Sequence, residues 1–124
     1  MKKDIESKED IILLVNTFYD SVKENKTIGY IFSDVAKINW ETHLPKMYSF
    51  WASVLLAEQS YTANPMIKHI ALSKITPMTE TEFNEWLLLF TKTVDDLFAG
   101  QIASDAKFKA GNIARLMLHK IQTV

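Results

Sequence analysis

Four side chains in this sequence could close around one reactive centre: Tyr19, His43, His69 and Trp86. His43 and His69 stand 26 residues apart in apolar, aromatic-rich surroundings, and the chain holds only 3 histidines. The third, His119, reads as a surface residue. Two imidazoles closing on a shared apolar space suit a flat iron cofactor, held from one face and guarded from the other. A porphyrin needs apolar walls and one strong axial ligand, commonly a neutral imidazole nitrogen. The second nitrogen of that ligand should donate to a carbonyl or carboxylate, which fixes the tautomer. His69, late in a short helix after Pro65, suits this role, with the Pro65 carbonyl as acceptor one turn back. On the opposite face a bound diatomic ligand gathers negative charge. The Tyr19 phenol, the Trp86 indole N–H and the His43 imidazole are the donors that answer it.

The elements that must position these residues are helices. Ser7 with Asp10 has capping-box spacing, and Ile11, Val15, Phe18 and Val22 then recur at helical period, with Tyr19 on the edge of the stripe. This helix should fade near Asn25–Lys26, before a short apolar turn from Ile28 to Phe32 and a brief turn capped by Ser33 or Asp34. The next helix begins between Asn39 and Thr42 and buries His43, Met47, Phe50 and Val54, flanked by Trp51 and Leu55. Proline is tolerated in a first turn but costs about 3 kcal/mol in a helix interior. The cap is therefore expected close to Thr42, with Pro45 in the opening turn; an earlier start should kink the helix there.

Residues 59–64 read as a loop, and Asn64-Pro65 as a cap and first helical position, opening a short helix that carries His69 and ends before Ser73. Thr76-Pro77 marks another loop. Thr79 with Glu82 forms a second capping box, with Met78 and Phe83 at staple spacing. The helix beyond it buries Phe83, Trp86, Phe90, Val94 and Leu97, and Gly100 is expected to close it. A last helix repeats Ile102, Ala106, Ala110, Ile113, Met117 and Ile121. No strand alternation, repeat or linker interrupts this series. The expectation is all-α, with four substantial helices and one short one.

Bulk composition agrees. A chain of 124 residues is expected to form a single domain over 1–124, large enough to bury one core. Its 14 Lys and Arg against 15 Asp and Glu argue against nucleic acid or an anionic membrane as partner. The absence of cysteine excludes disulfides and thiolate sites, and the charged start MKKDIESKED lacks the apolar stretch of a signal peptide. No apolar run approaches the ~18 residues of a membrane span. A cytoplasmic protein is expected. Only 3 glycines leave few places to reverse direction, which favours helices over a many-stranded sheet.

In order, the chain reads Phe18-Tyr19, Ile31-Phe32, Trp40-Glu-Thr-His43, Phe50-Trp51, Lys68-His69 and Glu85-Trp86-Leu87. Over nearly its whole length it resembles a truncated haemoglobin of the third group. The resemblance implies a two-over-two helical sandwich around haem b. It matches Tyr19 to the distal tyrosine, Phe32 to the phenylalanine on the haem, His43 to the distal histidine and His69 to the proximal iron ligand. Phe50 and Trp51 match the Phe-Trp pair later in the distal helix, and Trp86 the distal tryptophan. Met47, Lys68, Leu72, Phe83 and Phe90 complete the expected haem surroundings. Lys46 and Lys68 are alternatives for pairing with the propionates or facing solvent. The chain lacks a Gly-Gly pair, as the third group does, and has Pro45 just after His43.

The resemblance implies reversible binding of O2, NO and related diatomic ligands. His43 could gate the site, bond the ligand or coordinate iron. A second reading makes the same site an NO dioxygenase or peroxidase served by a separate reductase. A third, a cofactor-free helical interaction module, leaves the joint placement of Tyr19, His43, His69 and Trp86 unexplained. Neither His-x-x-x-His nor Glu-x-x-His occurs, so zincin and di-iron bundle spacings are missing, as is a Gly-rich phosphate loop.

Overall fold

The structure, a computed structural model, describes residues 2–31, 39–56 and 79–122, with side chains as far as residue 119. It contains helices α1 (Lys8–Glu24), α2 (Trp40–Leu56), α3 (Glu80–Leu97) and α4 (Gln101–Gln122), and no strand among the described residues. None of these helices is long and apolar enough to cross a membrane. The expected loop at 59–64, the Asn64-Pro65 cap, the short helix bearing His69, the Thr76-Pro77 loop, Met78 of the staple and the Ser33 or Asp34 cap lie outside the described residues.

The periodicity of α1 places Ile11, Val15, Phe18 and Val22 in the core as expected, and adds Leu14. Ser7 occupies the cap position, but its side chain makes no cap bond. The capping box fails because the preceding segment folds back over the helix start. Asp10 there accepts from the Glu6 N–H and the Lys3 ammonium, both at 2.9 Å. Burial alone would raise the Asp10 pKa; the Lys3 bond and the N–H groups of Glu6 and Ser7 outweigh it and hold the carboxyl below its ordinary value. At the other end the Asn25 carbonyl oxygen of the side chain accepts from the Thr27 and Ile28 N–H groups, and its amide donates to Glu85 at 2.7 Å. The end of α1 is thereby tied to α3.

Helix α2 starts at Trp40, within the expected range of Asn39 to Thr42, but its cap is not the expected one. Asn39, not Thr42, is the capping residue: its side chain accepts from the Glu41 N–H at 3.0 Å, and its carbonyl from Thr42 and His43. An asparagine at the cap satisfies donors that a start at Thr42 would leave to water. Pro45 consequently lies inside the helix. Having no N–H, it cannot bond the Glu41 carbonyl one turn back. Of this helix only Trp51 and Ala52 are fully buried. Leu44, Met47, Tyr48, Phe50, Val54 and Leu55 are half-buried against the core.

The Thr79–Glu82 capping box forms, with Glu82 Oε1 accepting from the Thr79 N–H at 2.9 Å. Gly100 does not close α3. Phe98, in extended conformation, is the C-cap, and its N–H bonds the Val94 carbonyl at 2.8 Å. Gly100 opens α4 instead, its carbonyl accepting from Ser104. Its φ of +146° favours glycine, and an added Cβ would lie 2.5 Å from Asp4 Cγ. That close approach lets Asp4 cap α4 from the far end of the chain, accepting from Ile102 at 2.9 Å and Ala103 at 2.8 Å. The Ala99 N–H bonds the Lys3 carbonyl alongside.

Burial pushes the Asp4 carboxyl up, but the N–H groups of Ile102, Ala103, Ile5 and Gln101 outweigh it and lower the pKa. A lowered folded-state pKa gives stability that is full above the unfolded value of 3.8 and is lost as pH falls through the folded one. Asp4→Ala should cost about 1 kcal/mol at neutral pH, the usual worth of an N-cap. Urea midpoints of the variant and the parent should converge as the pH is taken below the carboxylate range.

Helix α1 packs on α2 and α3, α3 runs along α4, and α2 touches α4. Ala103, Ala106 and Ala110 give α4 a narrow buried face, which lets it approach the aromatic core of Phe18, Trp51 and Phe90. A second cluster of Phe83, Ala114 and Met117 fills the far end of the α3–α4 pair, flanked by Trp86 and Ile113.

Candidate functional site

Successive residues of α1 build two linked aromatic groups, because Phe18 and Tyr19 lie about 100° apart around the helix. Their rings are in edge contact at 4.9 Å. Tyr19, buried, turns toward the first turn of α2, where its Oη lies 3.3 Å from His43 Nε2. The rings stand nearly perpendicular, at 81° with centroids 5.3 Å apart. Either group can donate, according to the imidazole tautomer. The Asn39 carbonyl holds the His43 backbone N–H at 2.9 Å, so the helix cap fixes where the imidazole starts. Trp40 touches both partners, with its centroid 5.3 Å from Tyr19 and 5.8 Å from His43. Lys23 Nζ sits 4.5 Å above the Trp40 ring.

Phe18 turns the other way, meeting Phe90 at 5.3 Å and Trp86 at 5.7 Å, both edge-on. Phe90 stacks with Trp51 at 4.7 Å and 20° and with Trp86 at 5.7 Å and 12°. Phe50 lies edge-on to Trp51 at 5.2 Å. Trp51 is buried and Trp86 half-buried. Together these rings make a continuous wall whose polar end is the Tyr19–His43 pair. Tyr48 adds a tie between α2 and α1 through its hydroxyl bond to Asn16.

Of the residues picked out from the sequence, the fold brings Tyr19 and His43 into direct contact and links Trp51, Trp86 and Phe90 in one stack. Met47 and Phe50 sit half-buried on α2. Phe83 is buried in a second cluster with Ala114 and Met117, against which Trp86 of the stack packs. Lys46 and His119 are exposed. Phe32, Lys68, His69 and Leu72 lie outside the described residues. Sequence reasoning did not single out Trp40 as a site residue. Its one signal was its place three residues before His43, one helical turn away on the same face.

No family model matches the chain. It is 32% identical over 101 residues to the group 3 truncated haemoglobin ctb of Campylobacter jejuni, an alignment covering 79% of this chain and 77% of that one. The chain belongs to the group 3 truncated haemoglobins. The crystal structure of a group III truncated haemoglobin from Campylobacter jejuni superposes with a TM-score of 0.86 at 28% identity, covering 98% of this chain and 95% of that one. The four helices of this truncated haemoglobin are thus those of the all-α two-over-two globin fold, and the protein is of the globin haem-binding type.

The described residues of this truncated haemoglobin fit such a group. Helix α2 presents Leu44, Met47, Phe50 and Val54 only half-covered, an apolar surface suited to a porphyrin face. The polar atoms at the end of the wall come from a phenol and an imidazole, side chains that can direct a hydrogen bond at a small ligand.

Proposed function

We propose that this truncated haemoglobin, a single globin domain over residues 1–124, holds haem b through His69. It binds O2, NO or a related diatomic ligand under Tyr19, His43 and Trp86. The observation that carries the reading is the 3.3 Å contact between Tyr19 Oη and His43 Nε2 at the end of an aromatic wall. When bound, the haem supplies an iron centre with one coordination position for a small ligand. Everything else is the work of the chain. His69 anchors the metal, while Phe32, Met47, Phe50, Trp51, Leu72, Phe83 and Phe90 supply apolar surroundings. Lys68 is the proposed partner of a propionate. Tyr19 donates its phenolic proton toward the ligand while His43 accepts or donates at Nε2, and Trp86 adds its indole N–H from α3.

The test is an absorption spectrum of the protein after haem addition, in the ferric, ferrous and carbon monoxide forms. An intense Soret band at one haem per chain supports the reading, and a folded, colourless protein overturns it. Within the loaded protein, Tyr19→Phe should speed O2 dissociation about 10- to 100-fold, the worth of a hydrogen bond to a charged acceptor. Stopped-flow displacement of O2 measures it; an unchanged rate would remove Tyr19 from the donor set.

The closeness of two donors favours a second use of the same site. Donors that retain and polarise O2 suit its reaction with NO to give nitrate, a conversion that consumes one electron from an external reductase. The cytoplasm, which holds such reductases, is the corresponding setting. Catalytic rather than stoichiometric NO consumption with a reductant present separates this reading from simple binding.

A further inference from the structure

We infer that Trp40, clamped from outside by Lys23, is the positioning residue that sets the geometry of the Tyr19–His43 pair. This rests on the haem reading above, since the pair matters there as the polar end of the ligand side.

Trp40 is a neighbour of both donors. Its ring lies at 60° to Tyr19 and 79° to His43, with centroids 5.3 and 5.8 Å away. An aromatic edge against each donor ring limits its rotation, because a change of χ at either residue would drive it into the indole. Trp40 and His43 occupy the first turn of α2, and that turn is weakly joined to the rest of its helix. Pro45 offers no N–H to the Glu41 carbonyl, so one of the bonds that would tie the turn to the next one is missing. The Asn39 cap secures the turn from its N-terminal side. Contacts of Trp40 with α1 must secure it laterally.

Lys23 supplies the outer half of that hold. It stands four residues after Tyr19 on α1, on the same face one turn along, with its ammonium 4.5 Å from the Trp40 centroid. A cation over an indole face is attracted by the ring quadrupole. The indole thus has both donor rings and a cation packed against it. Tyr19 and Lys23 belong to α1, Trp40 and His43 to α2. The four-residue group therefore fixes the junction of the two helices as well as the separation of the two donor atoms.

The experiment compares Lys23→Met, Trp40→Phe and Trp40→Leu with the parent in two states. In the haem-free protein, NMR should show a Tyr19–His43 ring NOE that survives in Trp40→Phe and is lost in Trp40→Leu. In the haem-loaded protein, Trp40→Leu should shift and broaden the C–O stretching band of the carbon monoxide complex. Lys23→Met should shift it in the same direction and speed O2 dissociation about two- to fivefold, the effect of losing a partly exposed cation–π contact. If the parent takes up no haem, the proposed function fails and the NOE series alone decides the role of Trp40. An intact NOE in Trp40→Leu overturns the inference, as does an unshifted C–O band in a loaded Trp40→Leu. Should Trp40→Leu fail to fold, Lys23→Met, altered only at an exposed cation, decides instead. A shifted NOE intensity or C–O band supports the inference, and parental values overturn it.

Discussion

Replacing His69 by alanine should abolish stoichiometric haem capture, while leaving the helical fold in place. In the proposed site His69 is the protein ligand of the iron, while His43 pairs with Tyr19. The remaining hold on the cofactor would be apolar contact and a propionate partner, which are non-directional or solvent-screened. Absorption titration with haem should show loss of the sharp Soret band in His69→Ala. Adding imidazole should restore it in part, because the free ligand can fill the vacated position on the iron. Far-ultraviolet circular dichroism should change little, since the core of Phe18, Trp51 and Phe90 is built by residues of α1, α2 and α3. A variant that binds haem as tightly as the parent, with an unaltered ferrous spectrum, would show that another residue holds the metal. His43→Ala is the informative companion. It should retain haem and the Soret band but remove a polar partner of Tyr19, separating anchor from distal neighbour.

Much of this architecture is legible in the sequence because burial follows local period. The apolar spacing of α1 and the Thr79–Glu82 box are short-range patterns whose partners lie within a turn or two. The places where expectation and structure part are those decided by distant residues. Gly100 reads locally as a helix stop. Its actual setting comes from Asp4, which bonds Ile102 across 98 residues of chain, and no local pattern announces that approach. Asp10 fails to complete a box with Ser7 because Lys3 and Glu6 fold back onto it. The start of α2 turned on two competing local rules. Keeping Pro45 in the first turn favoured Thr42, whereas the capping power of Asn39 moved the start to Trp40.

The candidate site divides the same way. Tyr19 and His43 are recognisable as polar groups on apolar helices, and a family pattern says they belong together. That Trp40 wedges against both, and that Lys23 covers it, depends on the crossing of α1 and α2. Periodicity likewise marks Phe83 as buried, yet assigning it to the cluster with Ala114 and Met117 rather than to the Trp86–Phe90 stack requires the packing of α4. A helix stripe reports that a residue is covered. It does not report by what.

Phe90→Ala should be the most destabilising single change in the described core. Phe90 has 0% exposure and stacks with Trp51 and Trp86 while meeting the edge of Phe18. Deleting its ring removes the centre of an assembly drawn from α1, α2 and α3, and a gap there cannot be closed by moving one side chain. Truncations of this kind cost about 3–5 kcal/mol, against a total stability of about 5–15 kcal/mol for a folded domain. Urea unfolding of the haem-free variant should show a midpoint far below the parent, and Phe90→Leu, which keeps part of the volume, should fall between them. Haem should narrow the difference. A ligand that binds only the folded state at 100 times its dissociation constant adds about 2.7 kcal/mol, enough to offset much of the loss. Trp86 loses one of its supporting faces in this variant, so the same change should also speed O2 dissociation from loaded protein, without any change in Tyr19 or His43. Stability lost with dissociation unchanged would mean that Trp86 keeps its place without Phe90. A loss below about 1 kcal/mol would mean that the surrounding side chains collapse into the gap, contrary to the close packing of an aromatic core.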